Sequence, residues 1–170
     1  MQGVRVIHIG IGFWLLFAIL RWGDWSNFRR FYPTMLYIII CKLLYEFIAH
    51  EKFYLWKLQP DFILNFFGVV ILHSCFLYPF SGFLFLSTYP EEPNKQITHY
   101  LKWIFIYALL EWIAFEYGAI AYYNGWSFWW SLLFDVHMFL FIRLHYIKPV
   151  WVIPLSPLST LFYMSVFNML

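Results

Sequence analysis

Four ionisable residues stand deep inside long apolar stretches of this sequence: Lys42, His73, Glu111 and Asp135. Counted from the ends of their stretches, all four fall near the middle, and Glu46 follows Lys42 by one helical turn. A charge at the centre of a membrane helix costs about 2.5–3.5 kcal/mol, so such residues face the bundle interior, pair with one another and mark proton or ion sites. These five residues are the candidate intramembrane polar or ligand-binding site.

The charges at this depth do not balance. Lys42 is the one cation among them, and it is predicted to pair with Asp135 or Glu111. One lysine, two acids and a neutral His73 leave one negative charge, which requires a protonated carboxyl, a bound cation or a charged histidine. We expect Asp135 to pair with Lys42 and Glu111 to carry the proton. The alternative is a structural subunit in which these contacts only set helix packing, each worth about 0.6 kcal/mol.

Signatures of intramembrane catalysis are missing. The segment "HEKFY" at His50 lacks the second histidine of a zinc-protease helix, and there is no Gly-x-Ser-x-Gly turn. Asp135 and His137 are two residues apart, so on a helix they point in different directions and suit no common metal. No catalytic residue, metal or cofactor is predicted. The first hypothesis is a non-enzymatic integral membrane protein whose polar centre binds a proton, cation or small polar ligand, and the second is the structural or accessory subunit. An enzyme is the weakest of the three hypotheses.

The composition indicates a membrane protein. Hydrophobic residues make up 63% of the 170 residues and charged residues 12%, against about 25% charged in soluble domains. A net charge of +2 gives no reason to expect a nucleic-acid partner. Six apolar segments approach the roughly 20 residues that cross a bilayer. The predicted fold is all-α, a single polytopic transmembrane bundle over residues 1–170, with six helices at 4–20, 33–49, 62–86, 98–117, 126–146 and 150–170.

Prolines modify this picture at three places. Pro33 suits the first position of the second helix. Pro79 and Gly82 predict a kink near the end of the third helix. Pro154 and Pro157 disturb the last segment, so the alternative fold is five helices plus a C-terminal re-entrant segment.

The first loop, "RWGDWSNFRRFYP", is predicted to form a short helix on the membrane surface. Trp22 and Trp25 would lie on its apolar face, Asp24 would cap it, and Arg29 and Arg30 would meet lipid headgroups. These two tryptophans and two arginines are the candidate interfacial lipid-facing residues.

The basic residues also predict an orientation. Loops one, three and five hold seven Lys and Arg residues, whereas the opposite side holds three: Arg5, Lys52 and Lys57. The positive-inside rule therefore places loops one, three and five in the cytoplasm and both termini outside. The seven are Arg21, Arg29, Arg30, Lys95, Lys102, Arg143 and Lys148.

Four stretches carry a family resemblance: "RWGDWSNFRRFYPTMLY", "LSTYPEEPNKQITHY", "GAIAYYNGWSFWWSLLFD" and "RLHYIKP". Together they resemble a family of small, aromatic-rich, multi-pass membrane proteins from endospore-forming Gram-positive bacteria, to which no activity is assigned. The resemblance implies a bacterial inner-membrane location and a link to sporulation. The expected partner is the lipid bilayer, and a transport role would require a homo-oligomer or another membrane protein.

Overall fold

The computed structural model describes residues 6–51 and 54–169. Over these ranges the chain is mostly helical and forms six helices, one for each apolar segment of the sequence. They are α1 (Ile7–Trp22), α2 (Phe28–Glu51), α3 (Phe66–Ser87), α4 (Pro93–Glu116), α5 (Phe128–Ile147) and α6 (Pro149–Val166). The prediction of six helices is confirmed for this part of the chain. Arg5 and Lys52, two of the charges used to predict the orientation, lie outside the described residues.

Three of the helices are long and apolar enough to cross a membrane: the stretch Trp25–His50, which includes most of α2, together with α3 and α6. Helix α1 is apolar but shorter, at 16 residues. Helices α4 and α5 have the length, at 24 and 20 residues, but are less apolar. Helix α6 runs without interruption through Pro154 and Pro157, so it forms one helix and not a broken segment.

Helix α2 begins earlier than the sequence predicts. Asp24 caps a 3₁₀ turn (Trp25–Asn27), because its Oδ1 accepts a hydrogen bond from the Asn27 amide at 3.2 Å. The chain then enters α2 directly at Phe28. The prediction of a separate surface helix is therefore wrong, and so is the prediction that Pro33 occupies the first position of the second helix. Pro33 lies inside α2 and costs it one backbone hydrogen bond, which the rest of this long helix outweighs.

Helix α3 contains a π-helical turn (His73–Leu77) between two α-helical halves. Pro79 has no N–H to give to the carbonyl of Cys75, and such gaps in the hydrogen-bond ladder are where π turns and kinks form. The kink expected at Pro79 and Gly82 stays a prediction, and the structure shows a change of winding just before Pro79. It sets the direction of His73 at the start of the turn.

Two short strands, absent from the all-α prediction, join two loops. Strand β1 (Trp56–Leu58) pairs antiparallel with β2 (Ile120–Tyr122), with Trp56 opposite Tyr122 and Leu58 opposite Ile120. The pairing ties the α2–α3 loop to the α4–α5 loop, so both lie at the same end of the molecule. Three-residue strands have no alternation that a sequence pattern could reveal.

Helix α3 lies at the centre of the packing, against α1, α2 and α5. Phe83 and Phe85 of α3 and Phe139 of α5 are fully buried and form the middle of the core. Helix α6 is the least buried of the three long apolar helices. It is attached in part by a hydrogen bond of 2.8 Å between the Tyr37 hydroxyl and Ser156 Oγ, the kind of polar contact that joins helices in membranes.

Candidate functional site

Lys42 is buried beside an acid of its own helix. Its Nζ forms an ion pair with Glu46, one turn further along α2. The prediction that Lys42 pairs with Asp135 or Glu111 is wrong, since neither acid forms a salt bridge with it within the described residues. A lysine reaches the acid of the next turn without moving a helix, whereas the other two acids project from α4 and α5.

Aromatic rings complete the surroundings of Lys42. Its Nζ lies 4.2 Å from the centre of a Trp56 ring and 4.9 Å from that of Tyr45, within the range of cation–π attraction. Strand β1 brings Trp56 there. Tyr45 stacks on Trp56 at 4.5 Å, donates to the Trp56 carbonyl at 2.6 Å and accepts from the Trp56 amide at 3.1 Å. The positive charge is therefore compensated mainly by Glu46 and by the rings of Tyr45 and Trp56.

Glu111 accepts hydrogen bonds from two hydroxyl groups. The Tyr122 hydroxyl donates to Glu111 Oε1 at 2.5 Å. Ser131 of α5 provides a second hydroxyl, and its Oγ accepts from Trp126 Nε1 at 2.8 Å, which leaves the O–H free for the acid. Burial raises the pKa of Tyr122, and the hydrogen bond to Glu111 adds to the rise, so this phenol stays a donor. Two O–H donors suit an ionised carboxylate, which only accepts.

Asp135 has the opposite surroundings. It is 4% exposed, and its Oδ2 is buried without a hydrogen-bond partner. It lies on α5 one turn after Ser131, within electrostatic reach of Glu111. In the part of the chain that the structure describes, no salt bridge reaches either acid. The two neighbouring acids, one buried and one half-buried, thus have no positive partner among the described residues.

Two tyrosines that the sequence did not single out connect these groups. Tyr78 of α3 lies within electrostatic reach of Glu46, Glu111 and Asp135, and its ring centre is 5.4 Å from that of His73. The Tyr107 hydroxyl of α4 hydrogen-bonds Ser81 Oγ of α3. Lys42 Nζ lies 5.7 Å from the centre of the Tyr78 ring, so all five predicted polar residues lie near Tyr78. Tyrosines are so common here, at 13, that composition hides the two that matter.

A histidine pair joins α1 to α3. His8 Nδ1 lies 3.0 Å from His73 Nε2, and His8 Nε2 lies 2.9 Å from the backbone carbonyl of Gln59. His8 is 1% exposed, and His73 Nδ1 is buried with no hydrogen-bond partner. His73 was predicted and His8 was missed, although a histidine inside the first apolar stretch is itself an unusual residue for that place.

A cavity of about 120 Å³ runs beside this centre, between α1, α3, α4 and the two strands. Most of its wall is apolar. Its polar lining comes from His8, His73, Tyr78, Ser81, Tyr107 and Glu111. A mostly apolar space with a few polar groups is typical of small-molecule sites. Within the described residues no three His, Cys, Asp or Glu side chains are grouped as a metal would require.

The four predicted interfacial residues lie at the surface around the α1–α2 connection. Trp22, Arg29 and Arg30 are exposed. Trp25 is exposed too, but its Nε1 donates to the Ile19 carbonyl at 2.8 Å and its ring stacks on Phe28 at 5.7 Å between centres. Trp25 thereby fixes the turn between the helices, and contact of this group with lipid stays a prediction.

Comparison of the chain with protein-family models, with characterised proteins and with solved structures finds no match. The resemblance to the family from endospore-forming bacteria therefore stays a prediction, and the function is argued from the site alone.

Proposed function

We propose that this is an integral multi-pass membrane protein whose acid pair, the half-buried Glu111 and the buried Asp135, holds an exchangeable proton or cation. The observation that carries the proposal is Asp135 Oδ2, which is buried without a partner next to a second acid. Two ionised carboxylates cannot share such a place at low cost, so one keeps a proton or both share a cation.

The excess of negative charge at the two acids is larger than the sequence indicated. Because Glu46 neutralises Lys42, the two remaining acids have no cation to share, and the deficit is two charges instead of one. The proton belongs on Asp135, contrary to the expectation for Glu111. Glu111 is stabilised as a carboxylate by two hydroxyl donors, whereas Asp135 has no donor for its buried oxygen.

Infrared spectroscopy of the full chain in lipid tests this proposal. A protonated-carboxyl stretch should be present at neutral pH, and Asp135→Asn should remove it. Glu116→Gln is the matched control, since Glu116 is an exposed acid at the end of α4, and it should leave the band unchanged. If sodium or potassium occupies the pair instead, the carboxylate bands should respond to that ion. A spectrum with no such band and no response to cations would reduce both acids to packing residues.

The same proposal includes a location. Six helices with short connections, together with the excess of basic residues in loops one, three and five, support a cell-membrane protein with those loops in the cytoplasm and both termini outside. The pairing of β1 with β2 supports the alternating path of the helices, because it puts loops two and four on the same side of the membrane.

A structural role is the second candidate, and one observation favours it. Lys42 and Glu46 are satisfied by each other and by Trp56 and Tyr45, which is what a packing element needs. This arrangement explains the Lys42 pair completely, but it leaves Asp135 without an explanation.

A further inference from the structure

The cavity beside the acid pair is a long groove. Helix α4 lines it with a single face, because the residues that contribute are spaced three or four apart. From Trp103 to Ala114 this face is about 16 Å long at the helical rise of 1.5 Å per residue. A volume of about 120 Å³ spread over that length is narrow, so the groove suits one extended chain better than a compact molecule. The α4 residues are Trp103, Ile106, Tyr107, Leu110, Glu111 and Ala114.

The groove opens sideways between two helices. Helix α1 packs mainly on α3, and α4 packs mainly on α5, so α3 forms the floor and the space between α1 and α4 stays open. Trp14 stands at this opening and is 48% exposed. In a membrane this side faces the acyl chains, and a ligand with an apolar chain reaches the groove without crossing water.

A residue at one end of the groove has a hydrogen-bond acceptor without a partner. The Gln59 carbonyl can only accept, so His8 Nε2 carries the hydrogen. In the neutral pair His8 Nδ1 is then the acceptor and His73 Nε2 the donor, which leaves the lone pair on His73 Nδ1. That atom is buried, has no partner and belongs to a residue of the groove wall.

The same end carries an uncompensated negative charge. Glu111 lines the groove and has hydroxyl donors but no cation. The rings of Tyr78 and Tyr107 line the groove as well, and aromatic faces attract ammonium groups. The other end is closed by Trp103, whose ring stands edge-on to Phe85 and whose Nε1 has no hydrogen-bond partner. The charge and the acceptor lie toward the Glu111 end, and Tyr107 lies midway along the groove, one turn from Glu111.

We propose that this groove binds a single alkyl chain with a primary-amine head group, the ammonium between Glu111 and His73 and the chain directed toward Trp103. The inference rests on the proposed function in one respect, since it requires Glu111 to be the ionised member of the acid pair. It goes further by naming the ligand class: a charged N–H donor on one linear chain.

Binding to the full chain in maltoside micelles tests the head group. The probes are n-octylamine, n-octanol, octanoate and octyltrimethylammonium, and the readout is thermal unfolding at increasing probe concentration. Octylamine should bind about tenfold more tightly than octanol, or about 1.4 kcal/mol. Octanoate should be weakest because it meets Glu111 as a like charge. The trimethylated amine keeps the charge but has no N–H for His73, so it should fall below octylamine. Equal binding of all four to the wild-type protein would overturn the proposal without any variant.

Three variants locate the site. Glu111→Gln should bring octylamine down to the level of octanol. Leu110→Trp should fill the groove and weaken the binding of octylamine and octanol alike. Propylamine, which has a short chain, should bind poorly to the wild-type protein. Glu116→Gln is the matched control and should change nothing. If octylamine keeps its advantage in Glu111→Gln, the head group binds elsewhere and the proposal is wrong.

The outcome is separable from that of the proposed function. The infrared band of Asp135 can be present while all four probes bind equally, in which case the acid pair holds only a proton or an inorganic ion. Conversely, the protein can show no protonated-carboxyl band while octylamine binds more tightly than octanol in a way that depends on Glu111. That result would support the amine-binding groove and reject the proposed proton site. Two lyso-lipids, one with an ethanolamine head and one with a choline head, distinguish a lipid source from a free amine. If a lipid supplies the amine, the ethanolamine lipid should bind more tightly, because its head donates N–H and the choline head does not. If a free amine is the source, neither lipid should bind as octylamine does.

Discussion

Replacing Lys42 with methionine tests the ion pair on α2 most directly. Removing one partner of a buried pair leaves the other charge uncompensated, which costs about 3–5 kcal/mol. Lys42 is 6% exposed and Glu46 16%, so some water reaches the acid that remains, and we expect about 3 kcal/mol from this source. The lost contact with Trp56, 4.2 Å from Nζ, adds about 1 kcal/mol. The expected loss in the free energy of unfolding is about 4 kcal/mol.

A double-mutant cycle separates the pair from the burial of lysine. Glu46→Gln alone should cost about 3 kcal/mol, because it leaves Lys42 buried with only aromatic partners. Lys42→Met with Glu46→Gln should cost about 2 kcal/mol less than the sum of the single changes, since neither charge is then left alone. The assay is reversible unfolding in mixed micelles at increasing dodecyl sulfate, followed by helical circular dichroism.

The control cycle combines Lys42→Met with Asp135→Asn. The two residues form no ion pair, so their effects should add to within about 0.5 kcal/mol. Additive behaviour of Lys42 with Glu46, together with coupling above about 1 kcal/mol to Asp135, would refute the assignment and restore the pairing predicted from the sequence.

Three further predictions concern the rest of the fold. A Cβ at Gly82 would overlap Ile38 Cδ1, so Gly82→Ala should cost about 1–3 kcal/mol, and Ile38→Val, which removes that carbon, should restore much of it in the same unfolding assay. Tyr122→Phe should cost about 1–3 kcal/mol by removing a donor from a buried acid, whereas no loss would show that the hydroxyl is not needed there. Single cysteines at Asn124 and Ser26, labelled on intact cells with an impermeant reagent, should react only at Asn124. Labelling at Ser26 alone would reverse the orientation.

The prediction of the helices succeeded because it depends on length and hydropathy, which are local properties of the chain. Where it failed, one cause was a local turn and the other was a contact between distant segments. Pro33 is inside α2 because the 3₁₀ turn at Trp25 lets the helix begin five residues before the proline. The strands β1 and β2 form because 64 residues later the chain offers a partner backbone, for instance Ala121 opposite Lys57.

The sequence by itself determined which residues are expensive to bury. Lys42, Glu46, His73, Glu111 and Asp135 could be selected because an ionisable group in an apolar stretch is costly whatever its neighbours are. The common depth followed from counting along each stretch. The sign of the charge imbalance followed too, but its size did not, because the sequence count left out Glu46, which pairs with Lys42.

Only the tertiary structure decided which of these ionisable residues pair with each other. Depth fixes one coordinate of a side chain, while its partner depends on the rotation of each helix and on which helices are neighbours. Those are set by packing, such as the close approach of α2 and α3 at Gly82, and by the sheet that places Trp56 over Lys42. For that reason Lys42 joined Glu46 of its own helix, and the charge without a partner was left with Asp135 and Glu111.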